Sequence, residues 1–299
     1  MGLRRAYRKW KIRQSQRDAS KPPAPAPQSL PDRRQAIYLG NQTLLTETFF
    51  GRKIYLDASD VSLTPHIIWD GRWEPWVTSF FQREIKPGHV FVDIGANCGF
   101  FSVLAADLVG PDGAVIALEP QARLARLVRN SMHVNGFDRF ARCIPVAVGE
   151  KAETARLAKS DFLSGSASLV GLRYSEDSSE TVTVEPLTQI LEQAEHLLQR
   201  ALPPDVIKID AEGYEWMIWN GARDLFARCP RLVICMEFSP MRYLELEQSP
   251  IAFLQAIMAD GFSISRLDQK SREHPVSESE METIADPSGQ TDLILRKAS

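Results

Sequence analysis

The sequence predicts an α/β protein with a parallel sheet. Short apolar runs, too brief for helices, alternate along the chain with longer segments of helical periodicity. One such run, of Val90, Phe91 and Val92, leads into a turn with two glycines and then into a helical pattern from Phe100. Another run, at 205–210, also ends in polar residues. Because ligands of parallel sheets bind beyond the carboxyl ends of the strands, these two runs mark the expected site.

Length and composition bound the kind of protein. The 299 residues suffice for one large domain, and no run approaches the roughly 20 apolar residues that span a bilayer. The basic start lacks the apolar stretch of a secretory signal. The four cysteines form no C-x-x-C pair, which argues against a zinc ribbon or a disulfide framework and favours a reducing cytoplasm.

Charge is distributed unevenly. Residues 1–36 carry ten lysines and arginines against two aspartates, so the overall charge of −3 leaves −11 for the remainder. An acidic body argues against nucleic acid as the substrate. Residues 1–34 are predicted to be a disordered, basic, proline-rich tail. Its apolar residues at helical spacing allow a weak contact with an anionic membrane surface, but a solvated tail is favoured because the apolar face is small.

Residues 35–85 are predicted to form a cap of β and α elements. Short β-like pieces occur at 36–39, 43–48 and 53–56, and an aromatic-rich amphipathic helix is expected over 69–84. Glu74 falls in the first turn of that helix, where the helix dipole is enough to explain a carboxylate.

Residues 86–299 are predicted to be the main domain. After the glycine turn, the pattern predicts alternating strands and helices. They are strands at 114–118, 144–148, 205–210, 231–238, 262–267 and 292–296, and helices at 121–135, 186–199, 216–226 and 251–260, with a less regular insertion at 149–186 and a polar loop at 268–290.

The glycine turn narrows the choice of ligand. Gly95 and Gly99 are separated by three residues, and Asp93 stands two residues before the first glycine. A dinucleotide fold requires G-x-G-x-x-G to bring its backbone against a pyrophosphate. An acid at this place would repel a pyrophosphate but suits a cation, such as the sulfonium and ammonium of S-adenosylmethionine. The alternative is that the glycines serve only the packing of strand on helix.

Glu119 follows the second strand, 24 residues beyond Gly95. An acid at this position of a nucleotide-binding sheet accepts hydrogen bonds from ribose hydroxyls. The alternative is a carboxylate that complements the start of the following helix.

Four charged residues at the ends of the next two strands are the catalytic candidates: Lys208, Asp210, Glu212 and Glu237. Lys208 alternates with Asp210 along a strand, so both point to one face, and we expect Lys208 to pair with Asp210 or Glu237. The carboxylates could act as acid or base, hold Mg²⁺, or only shape the cleft. No histidine supports a metal site, and no metal ligand is assigned.

The segments VFVDIGANCGFF, ALEP, DVIKIDAEGYE, NGA and MEF resemble, in this order, the FkbM family of S-adenosylmethionine-dependent methyltransferases. The resemblance covers roughly residues 70–240. It implies a class I methyltransferase (Rossmann-like) fold, a seven-stranded, mostly parallel sheet with one antiparallel strand and helices on both of its faces. It also implies O-methylation of a small-molecule, glycan or lipid-linked acceptor.

The resemblance further implies which residues hold the cofactor. Glu119 would hold the ribose, and Ala147 would stand beside the adenine. The implied cofactor-binding residues are Asp93, Gly95, Ala96, Asn97, Gly99, Glu119, Pro120 and Ala147. Two other functions remain as alternatives: a non-catalytic module tethered by its basic tail, and an NAD-dependent oxidoreductase, which the missing middle glycine disfavours.

Overall fold

A computed structural model describes residues 35–158 and 179–297 of the chain. The predictions for the tail, residues 1–34, and for the middle of the insertion, residues 159–178, lie outside these ranges. Among the described residues, none of the helices combines the length and the apolar character needed to cross a membrane.

The cap contains the three predicted strands. They are β1 (Ile37–Gly40), β2 (Thr43–Glu47) and β3 (Lys53–Asp57), which form an antiparallel sheet in this order. Two helices follow, α1 (Leu63–Asp70) and α2 (Pro75–Glu84).

The prediction of a single helix over 69–84 was wrong, because a non-helical segment separates α1 from α2. Gly71 ends α1 in the left-handed region, with φ of 72°, and its N–H donates to the carbonyl of Ile67. Glu74 also has a positive φ, of 39°, and stands directly before Pro75, the first residue of α2. A residue before proline is disfavoured in the helical region, so the helix can begin only at the proline.

The remaining elements follow the predicted alternation. In chain order they are β4 (Val90–Ile94), α3 (Phe100–Val109), β5 (Ala114–Leu118), α4 (Ala122–Val134), β6 (Ala141–Ile144), β7 (Ala147–Val148), β8 (Glu153–Ala158), β9 (Ser179–Glu185), α5 (Leu187–Leu198), β10 (Val206–Ile209), α6 (Glu215–Arg228), β11 (Val233–Phe238), α7 (Pro240–Glu245), α8 (Pro250–Ala259), β12 (Phe262–Leu267), β13 (Glu273–Pro275), α9 (Met281–Ile284) and β14 (Thr291–Lys297).

The main sheet has the strand order β13-β12-β14-β11-β10-β4-β5-β6. The seven predicted strands are present, and β14 is antiparallel to both of its neighbours. An eighth strand, β13, adds antiparallel to β12 at the edge. It lies within residues 268–290, which were predicted to be a loop.

The third strand of the parallel part was placed too late in the sequence. It is β6, at 141–144, whereas residues 147–148 form β7 and pair with β9 in a separate three-stranded sheet with β8. Pro145 separates the two strands. Because proline has no N–H to donate, it ends the ladder of the main sheet and lets the chain turn away.

Apolar side chains fill both faces of the main sheet. Along β4, Val92 and Ile94 belong to one buried cluster and Phe91 to the other. The first cluster includes side chains of α5, α6 and α8, and the second includes side chains of α2, α3 and α4. Helices therefore cover both faces, and the carboxyl ends of β4, β5 and β10 open at one edge.

Candidate active site

Gly95 lets the ends of β4 and β10 approach each other closely. It has φ of 77°, and a Cβ atom built there would lie 1.8 Å from the carbonyl oxygen of Asp210. The N–H groups of Gly95 and Ala96 donate to the carbonyl of Leu118, at 3.0 and 3.1 Å. The turn is thereby tied to β5, and only glycine fits at its first position.

Gly99 closes the turn at the start of α3. It has φ of 78°, and an added Cβ would lie 2.9 Å from both γ-methyl carbons of Val128. This glycine permits the close packing of α3 on α4, which is the packing role that the sequence left as an alternative for the turn.

Glu119 is buried at the end of β5, with 4% of its surface exposed. One carboxylate oxygen accepts from the N–H of Asn97 at 2.8 Å, and the other accepts from the N–H of Gln121 at 2.9 Å. Burial raises its pKa to about 7, although both hydrogen bonds oppose the shift. Each oxygen keeps a second lone pair that a hydroxyl group can use.

A first cavity of about 630 Å³ opens beyond the ends of β4, β5 and β10. Five of the predicted cofactor-binding residues line it: Gly95, Asn97, Glu119, Pro120 and Ala147. The side chains of Leu157, Tyr214 and Ile218 add an apolar wall. Such a mostly apolar cavity with a few polar groups is typical of a small-molecule site.

Asn97 stands where this cavity meets its neighbour. Its backbone has φ of 50°, in the left-handed region that asparagine tolerates. Its Oδ1 atom is buried and has no hydrogen-bond partner among the described residues. An unsatisfied buried oxygen in a cavity wall indicates a missing ligand donor.

Asp93 lies behind the turn, and the residues that line the cavities do not include it. It is 1% exposed, and its Oδ2 accepts from the hydroxyl of Ser102 on α3 at 2.6 Å, while Oδ1 has no partner among the described residues. Burial raises its pKa, and the nearby charge of Lys208 opposes this. The idea that its carboxylate lines the ligand site is therefore corrected: the alternation of side chains along β4 turns it toward α3.

A second cavity of about 460 Å³ lies beside the first. All four predicted catalytic residues line it: Lys208, Asp210, Glu212 and Glu237. The cavities share Gly95, Asn97, Asp210 and Glu212. Ala96 and the aromatic residues Trp73, Phe100 and Phe101 also line the second cavity.

The predicted pairing of Lys208 is confirmed. Its Nζ lies 2.8 Å from Oδ2 of Asp210, and the residue is opposite Asp93 in the pairing of β10 with β4. Lys208 is 6% exposed, and its Nζ lies 5.4 Å from the centre of the Phe101 ring. Burial lowers its pKa, but Asp210, Asp93 and Glu74 outweigh burial and raise it. Lys208 is therefore held as a cation.

Two further carboxylates of the second cavity also have partners. Glu212 is 3.2 Å from Nη2 of Arg242 on α7, and Glu237 accepts from Nε2 of Gln290 at 2.5 Å. Burial, together with Asp210, raises the pKa of Glu212 to about 7 and raises the pKa of Glu237 well above its usual value.

Residues 93–264 match the family model described as the methyltransferase FkbM domain, which is more than half of the chain. The chain belongs to the FkbM methyltransferase family. Membership and strand order together identify its fold as the class I methyltransferase fold.

More distant similarities also exist. A stretch of 59 residues is 39% identical to the protein-L-isoaspartate O-methyltransferase of Methanopyrus kandleri, covering 20% of this chain and 26% of that protein. The match thus spans about a quarter of the relative. Among solved structures, the O-methyltransferase from Bacillus cereus in complex with SAH is 16% identical, with a TM-score of 0.44 and coverage of 81% of this chain and 84% of that one. Precorrin-6y C5,15-methyltransferase from Geobacter metallireducens is 13% identical, with a TM-score of 0.39 and coverage of 78% and 91%.

In this FkbM protein, the possibility of a metal ion rests on three carboxylates. Oxygens of Asp210, Glu212 and Glu237 lie within 4.8 Å of one another. Lys208 and Arg242 already neutralise two of the three. A divalent ion at this cluster would therefore share two of its three carboxylates with protein cations.

Two site residues were missed by the sequence analysis. Glu74, which was explained by the helix dipole, lines the second cavity, and its side chain makes no capping hydrogen bond to α2. Glu215 is buried and accepts from the N–H groups of Ala211 and Gly213, both at 3.1 Å, and from the hydroxyl of Tyr243 at 3.1 Å. Glu215 thus fixes the loop that presents Glu212. The signal for Glu74 was Pro75, which marks the true start of the helix.

Proposed function

We propose that the protein transfers a methyl group from S-adenosylmethionine to a hydroxyl group of a sugar, a glycolipid or another small hydroxylated acceptor. The observation that carries this proposal is the shared wall between the two cavities. Gly95, Asn97, Asp210 and Glu212 border both, so a donor in the first cavity and an acceptor in the second would meet there.

The first cavity suits the donor. Glu119 would accept hydrogen bonds from the ribose hydroxyls through its remaining lone pairs, and Asn97 Oδ1 would accept from the methionine ammonium. The apolar wall of Leu157 and Ile218 near Ala147 would hold the adenine. When bound, S-adenosylmethionine supplies an already activated methyl group.

The second cavity suits an acceptor rich in hydroxyl groups. Carboxylates accept hydrogen bonds from hydroxyls, and Trp73 and Phe100 offer flat apolar surfaces to a sugar ring. Four carboxyl groups and one lysine line it, so an anionic group on the acceptor would oppose the ionisation of these carboxyl groups. Acceptors with a phosphate or a carboxylate beside the reacting hydroxyl should be disfavoured.

For methyl transfer, the protein has mainly to align the acceptor hydroxyl with the methyl group and to remove the hydroxyl proton. Two reactants held in line gain effective concentration, and a carboxylate within hydrogen-bond reach can take the hydroxyl proton during attack. Asp210, Glu212 and Glu237 support this role by their place in the second cavity.

Ligand-induced stabilisation tests the donor. We expect S-adenosylmethionine at about 100 times its Kd to stabilise the protein by about 2.7 kcal/mol, which corresponds to a rise in Tm of about 5 °C or more. NAD should leave the Tm unchanged, because the turn brings no N–H groups into a pyrophosphate cradle. Thermal melting with each ligand is the measurement.

A melting curve that moves only with NAD would reject the methyltransferase proposal in favour of the oxidoreductase. Stabilisation by S-adenosylmethionine without transfer of its methyl group to cell glycans or lipids would favour the non-catalytic module. Mass spectrometry of glycans and lipids from cells with and without the protein would identify the acceptor.

The proposed ribose contact is tested by Glu119→Gln. We expect the affinity for S-adenosylmethionine to fall about 10- to 100-fold, because a neutral amide replaces a charged acceptor and its NH₂ would face a backbone N–H. Isothermal titration calorimetry measures this loss. In the unaltered protein, affinity should rise between pH 6 and 8, as Glu119, with its pKa of about 7, becomes ionised.

Glu150→Gln, at an exposed position, is the control and should bind as the unaltered protein does. An analogue of the donor that lacks the ribose hydroxyls should bind Glu119→Gln and the unaltered protein with equal affinity. If Glu119→Gln lowered the affinity for that analogue as much as the affinity for S-adenosylmethionine, Glu119 would act only by holding the turn and not by contacting the ribose.

A further inference from the structure

We propose that Glu74, which the cap contributes, is the general base that removes the proton from the acceptor hydroxyl. This inference rests on the proposed function and names a residue outside the segment 93–264 that matches the family. Glu74 lines the second cavity together with Asp210 and Glu237, on the wall that the cap supplies.

The other carboxylates of the cavity are already engaged. Lys208 binds Asp210, Arg242 binds Glu212, and Gln290 donates to Glu237. A carboxylate that is held by a cation or a donor is a weaker proton acceptor, since proton uptake must compete with that contact. The N–H of Thr78 donates to the backbone carbonyl of Glu74, but no described residue donates a hydrogen bond to its side-chain carboxyl group, so the carboxyl oxygens are available to a hydroxyl group.

The backbone conformation of Glu74 supports a position of its side chain in the second cavity. Its φ of 39° and ψ of 75° place a non-glycine residue in the left-handed region, and its side chain does not cap the helix that it precedes. Such a conformation costs of the order of 1 kcal/mol or more and persists where the surroundings impose it. Here it allows the carboxyl group to face the cavity instead of the N-terminus of α2.

Burial and the charges around Glu74 set its pKa in a range that suits proton transfer. Burial first, and then Asp210 and Asp292, raise its pKa to about 8, while Lys208 opposes the shift. A base with a pKa near the working pH is suited to proton transfer. The sulfonium of a donor in the neighbouring cavity would favour the ionised form, so that donor binding would charge the base.

The acceptor oxygen attacks the methyl carbon, and an O–C bond forms while the S–C bond breaks. The electron pair of that bond stays on sulfur, which becomes neutral. The hydroxyl proton passes to Glu74, which becomes a neutral carboxylic acid and later releases the proton to solvent.

Titration calorimetry tests the proposal without an acceptor. S-adenosylmethionine or its neutral product S-adenosylhomocysteine is titrated at pH 7 in two buffers of different ionisation enthalpy, which gives the protons released. The unaltered protein should release more protons with the cationic ligand, up to about one per site, and Glu74→Gln should lose most of this excess. Asp70→Asn, at an exposed position in the same cap, should keep it.

Turnover provides the second readout, with methyl glycosides of common hexoses and deoxyhexoses as acceptor probes. Glu74→Gln should lower kcat/KM by about 10²- to 10⁴-fold and abolish the fall in rate below about pH 8, with Glu74→Asp intermediate. If none of the glycosides is methylated, the calorimetric result decides.

An undiminished proton excess in Glu74→Gln, or a kcat/KM within threefold of the unaltered protein, would overturn the role of Glu74 and leave the proposed function intact. Absence of any binding of S-adenosylmethionine would overturn the proposed function and this inference with it.

Discussion

Gly95→Ala should abolish binding of S-adenosylmethionine and destabilise the protein by about 2–4 kcal/mol or more. The added methyl would lie 1.8 Å from the carbonyl oxygen of Asp210, which is backbone and cannot rotate away. The left-handed conformation costs alanine about 1 kcal/mol, and forcing β4 and β10 apart costs a further 1–3 kcal/mol or more. Chemical denaturation and titration calorimetry measure the two losses.

Gly88→Ala measures the cost of the left-handed backbone conformation alone, without a steric clash. Gly88 has φ of 84°, and no atom lies within 4 Å of an added Cβ. Its substitution should cost about 1 kcal/mol and leave donor binding unchanged. If Gly95→Ala were no worse than Gly88→Ala, the close approach of the two strands would not be needed for the site.

Lys208→Met should destabilise the protein by about 3 kcal/mol. It would leave Asp93, which is 1% exposed, and Asp210 without the cation between them. Removing one partner of a buried ion pair costs about 3–5 kcal/mol, and the lower end applies because the side chain of Asp210 is 28% exposed. Guanidinium denaturation, read as the free energy of unfolding, measures the change.

Lys297→Met is the matched control. Lys297 also lies against a phenylalanine, 4.3 Å from the centre of the Phe262 ring, but it donates to a backbone carbonyl rather than to a buried carboxylate. Its loss should cost less than about 1 kcal/mol. Equal costs for the two lysines would show that the buried charges of β4 and β10 do not depend on Lys208.

Much of the main domain was predictable because its strands are buried on both faces. The bounds of β5 and β12 agree with the prediction, since each is a short apolar run closed by turn or helix residues. The pair of Lys208 with Asp210 followed from alternation along one strand. The site residues on β4, β5 and β10 share one edge because parallel strands end together.

The features that could not be predicted depended on contacts between separate elements of the chain. Whether residues 147–148 join the main sheet depends on Pro145 and on β9, more than thirty residues later. The hydrogen-bond partner of the Asp93 side chain, the hydroxyl of Ser102, lies on α3 and could not be inferred from β4 alone. Pro75 shows where α2 begins, but the place of Glu74 in the second cavity also depends on how the cap folds against the sheet.

The cap that carries Glu74 lies upstream of the segment that defines the family. Residues 35–85 precede that segment, whereas the glycine turn, Glu119 and the ends of β10 and β11 lie within it. On the proposals above, exchange of residues 35–85 for those of a related protein would change a wall of the second cavity and leave the glycine turn and Glu119, on the donor side, in place.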